Sequence, residues 1–270
     1  MDQARDLAVV IPAYNEEATI GSVLRLVDAL PCVKEIIVVD DGSTDNTAGI
    51  VAAFGSPRVR LLRQPRNQGK TAAIKVGVQH VTSAVTIIQD ADLEYDPREI
   101  PFVIDPILAG NADVVYGSRF LVRKAARVAY FYHYVGNKVL TFISDLLTNR
   151  NMSDIETGYK AFLTPILQQM PITSSGFGVE VEITAMVSKT RARTYEVPIS
   201  YYGRSYEEGK KIGFKDGVAA LWYILFYNTL AMVNPQRRAY VRRIDAWLPS
   251  ARRTDAQSPV AAPAELAIGK

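Results

Sequence analysis

The first 120 residues alternate short apolar runs with stretches of helical periodicity, and few folds accommodate that order. The runs lie at 7–11, 35–40, 59–63, 85–89 and 113–116. Between them Ile20, Val23, Leu24 and Val27 recur at helical spacing, as do Ile50, Val51 and Phe54, and then Ala73, Ile74, Val76, Gly77 and Val78. Apolar strands joined by helices read as a parallel sheet covered on both faces. The expected class is therefore α/β, a doubly wound, mostly parallel sheet flanked by helices. With 270 residues, 48% of them hydrophobic, the chain can build one large domain of this kind plus appended elements.

Ligands of such sheets sit beyond the carboxyl ends of the strands, so the polar residues after each run carry the functional information. The run at 7–11 is followed by Pro12-Ala-Tyr14-Asn-Glu16, and that at 35–39 by Asp40-Asp41-Gly-Ser-Thr-Asp45. The run at 85–89 leads into Asp90-Ala91-Asp92-Leu-Glu94, and that at 113–116 into Gly117-Ser-Arg119. Two carboxylates one residue apart at a strand end can turn toward one ligand, and such oxygens suit Mg2+ or Mn2+, with Glu94 available to complete the set. The competing reading is that Asp-x-Asp caps a helix beginning near Pro97. Asp40 and Asp41 end a buried strand, where acids need a hydrogen-bonding partner such as ribose or a base; Thr44 or Asp45 can at the same time cap the next helix. Asn67-Gln-Gly-Lys70 opens a helix running to His80, and Lys70 there is either a phosphate contact or a structural helix start.

Several chemistries are disfavoured. Neither a phosphate-binding Walker loop nor Gly-x-Gly-x-x-Gly occurs, which argues against a dinucleotide cofactor. His80 and His133 have no acid or nucleophile partner in sequence and read as structural. The single cysteine, Cys32, reads as a buried, inert thiol of a reducing compartment. With no apolar leader pattern at the N-terminus, a cytoplasmic location is expected.

The second half is less regular. A Tyr/Phe-rich helical stretch at 129–147 precedes the segment Ser153 to Lys160; a helix is expected over 179–189 and a strand over 194–199. Residues 217–233 form a run of 17 without a charge, interrupted by Asn228 and Thr229, and read as an interfacial rather than a membrane-spanning helix. Residues 204–253 hold ten Lys/Arg against four Asp/Glu, a local charge of +6 in a chain whose net charge is +3. Basic residues flanking an apolar run point to an anionic membrane surface, and no nucleic acid partner is expected. The division is 1–211 for the catalytic unit, 212–249 for amphipathic surface helices and 250–270 for a disordered tail.

Taken in order, Pro12 to Glu16, Asp40 to Asp45, Asn67 to Lys70, Asp90 to Glu94 and Gly117 to Arg119 closely resemble the motifs of family 2 glycosyltransferases of the GT-A fold, and more narrowly dolichyl- or polyprenyl-phosphate hexose synthases. The resemblance implies that Pro12, Tyr14, Glu16, Asp40 and Asp41 line the nucleotide site with Lys70, Asp90 and Ala91. It further implies that Asp90 serves ribose or metal, that Asp92 and Glu94 bind Mg2+ or Mn2+, and that Arg119 meets phosphate. The segment 202–211 is similar to a donor-closing loop, which would bring Arg204 and Lys211 to the diphosphate. A polyprenyl or dolichyl phosphate acceptor is already ionised and needs cations, for which Arg123, Lys124 and Arg127 stand ahead of the aromatic helix. A glycan or other polar acceptor would instead require Asp154 or Glu156 as general base. A third reading is a nucleotide-sugar-binding subunit without catalysis; an integral membrane partner is compatible with each.

Overall fold

A computed structural model describes residues 6–121, 130–176, 178–203 and 214–256, without the side chains of 214–216 and 253–256. Among the described residues one seven-stranded sheet runs β3-β2-β1-β4-β6-β5-β7. Its strands are β1 (Leu7–Ala13), β2 (Val33–Asp40), β3 (Val59–Arg63), β4 (Val85–Ile88), β5 (Val114–Ser118), β6 (Lys160–Leu163) and β7 (Thr194–Pro198). The five expected runs are β1 to β5, and the strand expected at 194–199 is β7. All pairs are parallel except those of β6, which lies antiparallel between β4 and β5. β6 opens with the charged Lys160, which leaves an apolar run of three residues, too short to read as a strand in the sequence.

Every residue of β1 is buried, and its alternation divides the core in two. Leu7, Val9, Ile11 and Ala13 face one layer with α1 (Ile20–Asp28) and α4 (Ile100–Leu108). Ala8 and Val10 face the other, with α3 (Lys70–Gln79), α6 (Thr164–Gln168) and α7 (Gly178–Ser188). α2 (Thr47–Ala52) joins β2 to β3. Cys32 is half-buried against the first core, and burial pushes its thiol pKa up, in keeping with an inert role.

The antiparallel β6 has a functional consequence. Because it runs against its neighbours, the loop that precedes it, residues 153–159, emerges at the same edge as the carboxyl ends of β4 and β5. Strand ends and this loop therefore share one crevice.

The C-terminal region departs from expectation. The apolar run is α8 (Phe214–Asn228) and a 3-10 turn (Leu230–Val233) broken at Thr229; α9 (Pro235–Ala256) follows at a bend of 88°. No single described helix is long and apolar enough to cross a membrane. α9 is no surface helix detached from a catalytic unit: Tyr240, Ile244 and Leu248 are buried in the second core. Two ion pairs tie it down. Arg237 bonds to Glu182 of α7, and Arg252 reaches the buried Asp113 at 2.7 Å beside Arg193 at 2.8 Å. The disordered tail expected from Ser250 is displaced as well, since the helix continues to Ala256.

α5 (Phe131–Thr148), the expected aromatic helix, packs with α7 and α8 around a third apolar cluster of Ile155, Val181, Ala185, Ile224, Tyr227 and Ala231. Its inner side contributes Leu140, Ile143 and Leu147. Its outer side is equally apolar: Phe131, Val135, Val139, Phe142 and Leu146 are exposed.

Candidate active site

The ends of β1 and β2 are stitched together before any ligand arrives. Asn15, at φ 53°, accepts a hydrogen bond from Thr44 N through Oδ1 (2.8 Å), while its own N–H donates to Ser43 Oγ (3.0 Å). Glu16 N donates to Thr47 Oγ1 (2.8 Å), and the Glu16 carboxylate accepts from Thr19 Oγ1 at the start of α1. Asp45 caps α2 through Thr47 N at 2.9 Å, as one of the sequence alternatives held. Pro12 is buried in β1, paired in register with Val39, and Tyr14 is half-buried at the rim.

The two acids at the end of β2 are held by neighbouring segments. Asp40 has no exposed surface and accepts from Ser43 N and Arg63 Nε, both at 3.2 Å. Asp41 accepts from Gln64 Nε2, Gln68 N and Gly69 N at 2.7–2.9 Å, which fixes the loop leading into α3. Both carboxylates are thus engaged by partners within the chain. Asp41 thereby holds Gln68 and Gly69, the two residues immediately ahead of α3, in place. Ala91 is reassigned, because it is buried in the first core.

Asp90 and Asp92 survive their competing explanation. The helical turn at Pro97 is capped by Asp96, which accepts from Arg98 N at 2.9 Å, so neither residue of the Asp-Ala-Asp segment is spent on it. Asp90 Oδ1 pairs with Lys70 Nζ at 2.8 Å, and Lys70 also meets Glu180 Oε1 of α7 at 3.2 Å. Burial works against the Lys70 charge, but Asp90 and Glu180 outweigh it and raise its pKa well above the ordinary lysine value. Lys70 is thus the resident cation of the site. Gly158 makes the approach possible: a β-carbon there would stand 2.6 Å from Asp90 Oδ2.

Asp92 is half-exposed and accepts from Glu94 N (3.1 Å) in a turn that places Leu93 at φ 61°. Glu94 Oε2 accepts from Tyr201 OH (2.9 Å), and Glu94 O accepts from Tyr202 N (2.9 Å). Among the described residues no three His, Cys, Asp or Glu side chains gather as a metal-holding group, so the expected set of Asp90, Asp92 and Glu94 is not assembled. One or two carboxylates completed by water and phosphate oxygens are a common form of Mg2+ site. Asp92 with Asp90 fits that form, whereas Glu94 anchors the chain entering residues 204–211.

Arg119 and Asp154 form a closed pair. Arg119 Nε and one terminal nitrogen lie 2.7 Å from the two Asp154 oxygens, its backbone N–H adds a third bond, and the Asp154 side chain has no exposure. Burial raises the Asp154 pKa, but the Arg119 guanidinium more than reverses this and holds it below the usual carboxylate range. Neither partner is placed as the sequence suggested: Arg119 is committed to Asp154 rather than turned to phosphate, and Asp154 cannot act as a general base. Glu156, two residues on, is half-exposed; burial, then the charge of Glu180, push its pKa up. Arg123, Lys124, Arg127, Arg204 and Lys211 lie outside the described residues.

Glu180, Lys160 and the tyrosines were missed. Tyr95 OH accepts from Gly158 N (2.9 Å), stacks on Tyr159 at 5.3 Å and lies 5.4 Å from Tyr201, bracing the turn at 90–96 against both loops. A usable signal existed for Glu180, since it and Glu182 are acids in a helix otherwise apolar enough to be buried from Gly178 to Val187.

Comparison with known proteins agrees with this architecture. The chain is 28% identical over 199 residues to glycosyltransferase AglJ of Haloferax volcanii, a match covering 73% of this chain and 63% of that protein. It is 28% identical over 220 residues to the low-salt glycan biosynthesis hexosyltransferase Agl6 of the same organism, covering 80% and 52%. The chain thus spans less than two thirds of both. An uncharacterised protein of Methanocaldococcus jannaschii is 30% identical over 223 residues, covering 76% of this chain and 94% of that one. Among solved structures, glucosyl-3-phosphoglycerate synthase of Mycobacterium tuberculosis with UDP superposes at a TM-score of 0.64, with 21% identity over 83% of this chain and 80% of that one. The same enzyme with Mn2+, UDP and glucosyl-3-phosphoglycerate gives 0.64 at 22% identity over 83% and 80%. These superpositions establish a GT-A-like fold. The sequence model of glycosyl transferase family 2 matches residues 8–170, more than half of the chain, and the chain belongs to that family.

Proposed function

We propose that the chain is an inverting hexosyltransferase that moves a hexose from UDP- or GDP-hexose to a polyprenyl or dolichyl phosphate, working peripherally at the cytoplasmic membrane face. The observation that carries the acceptor is α5. Its outer side bears Phe131, Val135, Val139, Phe142 and Leu146, at 37–69% exposure, while Thr141, Ser144 and Thr148 are buried. A helix whose outer side is this apolar calls for an apolar partner on that side. α8 extends the surface with Val218, Trp222 and Leu225, and the following turn adds Leu230 and Val233. Contiguous exposure of this kind marks an interaction surface, and the hydrocarbon tail of the acceptor supplies a partner.

The ridge meets the site at its headgroup end. Asn137 of α5 accepts from Arg119 (3.3 Å), and Lys138 lies 4.8 Å from the Phe120 ring centroid and donates to Ser153 O (3.1 Å). In this reading Arg123, Lys124 and Arg127 receive the lipid phosphate, whose oxygen attacks the anomeric carbon as the bond to the diphosphate breaks. Negative charge then grows on the nucleoside diphosphate. Lys70, displaced from Asp90, and Arg204 and Lys211 of the closing segment balance that charge. Mg2+ or Mn2+ held by Asp92 and Asp90 would supply further neutralisation. No general base is required, in keeping with the engagement of Asp154 by Arg119.

Purified chain incubated with Mn2+, a panel of UDP- and GDP-hexoses and short polyprenyl phosphates should yield a glycolipid detectable by mass spectrometry. Product formed on a polar acceptor in the absence of lipid phosphate would overturn the acceptor assignment in favour of a glycan-extending enzyme. A chain that binds nucleotide sugar and transfers to neither is the binding subunit. The surface has its own test. Val139→Glu combined with Trp222→Glu should lower co-sedimentation with anionic phospholipid vesicles by about tenfold or more, since each charge opposes burial of apolar area. Nucleotide affinity in solution should not change. Vesicle binding equal to wild type would place the membrane contact elsewhere.

A further inference from the structure

α9 has two faces of opposite chemistry. Arg237, Tyr240, Ile244 and Leu248 are buried, the first against Glu182 of α7 and the others in the second core. The outer face carries Arg238, Ala239, Arg242, Arg243 and Ala246, all exposed. The inward arginines are paired with acids, Arg237 with Glu182 and Arg252 with Asp113, whereas Arg238, Arg242 and Arg243 meet no carboxylate among the described residues. Asp245, the only acid from 235 to 250, is half-buried and turned away, accepting from Arg191 N at 2.7 Å. The outer face therefore keeps three positive charges.

Three exposed arginines alone make an ordinary solvated face, and it is their place that gives them a partner. Arg238 donates to the carbonyls of Met232 (2.9 Å) and Val233 (3.2 Å), so the basic face begins on the turn whose Leu230 and Val233 are exposed at the end of the apolar surface. Arg242 follows one helical turn later, about 5.4 Å further along the axis. Ala239 and Ala246 add no bulk that would hold a flat surface away from the guanidinium groups. An apolar edge continued by a basic face matches the two layers of an anionic bilayer, hydrocarbon and phosphate. A nucleic acid would answer the arginines but leave Leu230 and Val233 in water.

We infer that the outer face of α9 binds the headgroups of anionic phospholipids through Arg242 and Arg243, with Arg238 at the junction to the apolar surface. This rests on the membrane reading above and adds the lipid chemistry that the chain selects. Guanidinium groups suit the task, since they bind phosphate through two parallel hydrogen bonds. The contact also orients the enzyme. Arg237 and Glu182 tie α9 to α7, and α7 carries the Glu180 that meets Lys70, so a bilayer that holds α9 holds the crevice in a set orientation to the lipid phosphates.

Co-sedimentation of the full chain with phosphatidylcholine vesicles, with and without phosphatidylglycerol, separates headgroup charge from hydrocarbon. The wild type should bind the vesicles containing phosphatidylglycerol about a hundredfold more tightly, on the scale of about fivefold for each of three basic residues at an anionic surface. This gain should vanish at about 1 M salt, where charges are screened beyond about 3 Å. In Arg242→Gln combined with Arg243→Gln the gain should fall about tenfold or more, while binding to phosphatidylcholine alone stays within about twofold of wild type. Coincident thermal unfolding of the two proteins shows that the fold is not what changed. A wild type that binds both kinds of vesicle equally overturns the inference and leaves the apolar contact standing. A double variant that keeps the full gain also overturns it, since the charge contact then lies outside α9. A wild type that sediments with neither kind of vesicle removes the membrane reading itself, and this inference with it.

Discussion

Arg237→Met is expected to lower the unfolding free energy by about 3–5 kcal/mol, the usual cost of removing one member of a buried ion pair. Glu182 has no exposed surface and Arg237 is 2% exposed, so solvent cannot take over the stranded charge. Glu182 also accepts from Thr173 N (3.0 Å) and Ser174 N (2.7 Å), which ties the segment before α7 to the helix it precedes. Urea unfolding of the full chain at neutral pH, followed by circular dichroism, provides the measurement. Changing Glu182 to Gln in the Arg237→Met background should restore much of the loss, because a neutral amide oxygen still accepts from the backbone while the buried charge is gone. A single variant within about 1 kcal/mol of wild type, the scale of an exposed pair, would mean that α9 is not integral to the catalytic fold. The effect should extend to catalysis, since α7 carries both Glu182 and, two residues earlier, the Glu180 that meets Lys70.

The behaviour of α9 shows where sequence reasoning stops. Strands β1 to β5 were legible because their apolar runs are bounded by turn chemistry, and the crevice was legible because such sheets bind ligands at strand ends. The C-terminal third was misread because its charge and its packing have different periods: ten cations along residues 204–253 suggest a surface, yet Tyr240, Ile244 and Leu248 recur at helical spacing and bury themselves against the sheet. Side-chain direction was equally inaccessible. Asp40, Asp41 and Arg119 stand at the expected strand ends, but each turns to a partner from a distant segment, Arg63, the loop at 64–69 and Asp154. Position at a strand end is a property of the fold; which neighbour accepts the charge depends on tertiary packing. The same limit hid Glu180, which reaches the site from a helix more than 85 residues beyond Asp90.

The largest catalytic effect is expected at Asp92. Its half-exposed carboxylate stands on the turn beyond β4, at the carboxyl-end crevice where such a fold holds a ligand, and so is placed to hold a divalent cation against a diphosphate. Asp92→Ala should lower hexosyl transfer about 10²–10³-fold, the scale on which losing one electrostatic contact to the developing charge is felt. It should also abolish the dependence of UDP or GDP affinity on Mn2+. Glu94→Gln provides the contrast. The Glu94 side chain accepts from Tyr201 OH, which a glutamine oxygen can still do, and its backbone carbonyl continues to hold Tyr202 N. The chain entering residues 204–211 therefore keeps its anchor, and transfer should fall by less than about tenfold, as for loss of a minor positioning contact. Calorimetry with and without Mn2+, run beside the transfer assay, distinguishes a ligand from an anchor. If Glu94→Gln instead matches Asp92→Ala in both measurements, Glu94 leaves Tyr201 when nucleotide arrives and the three-carboxylate set expected from the sequence assembles only around the bound donor.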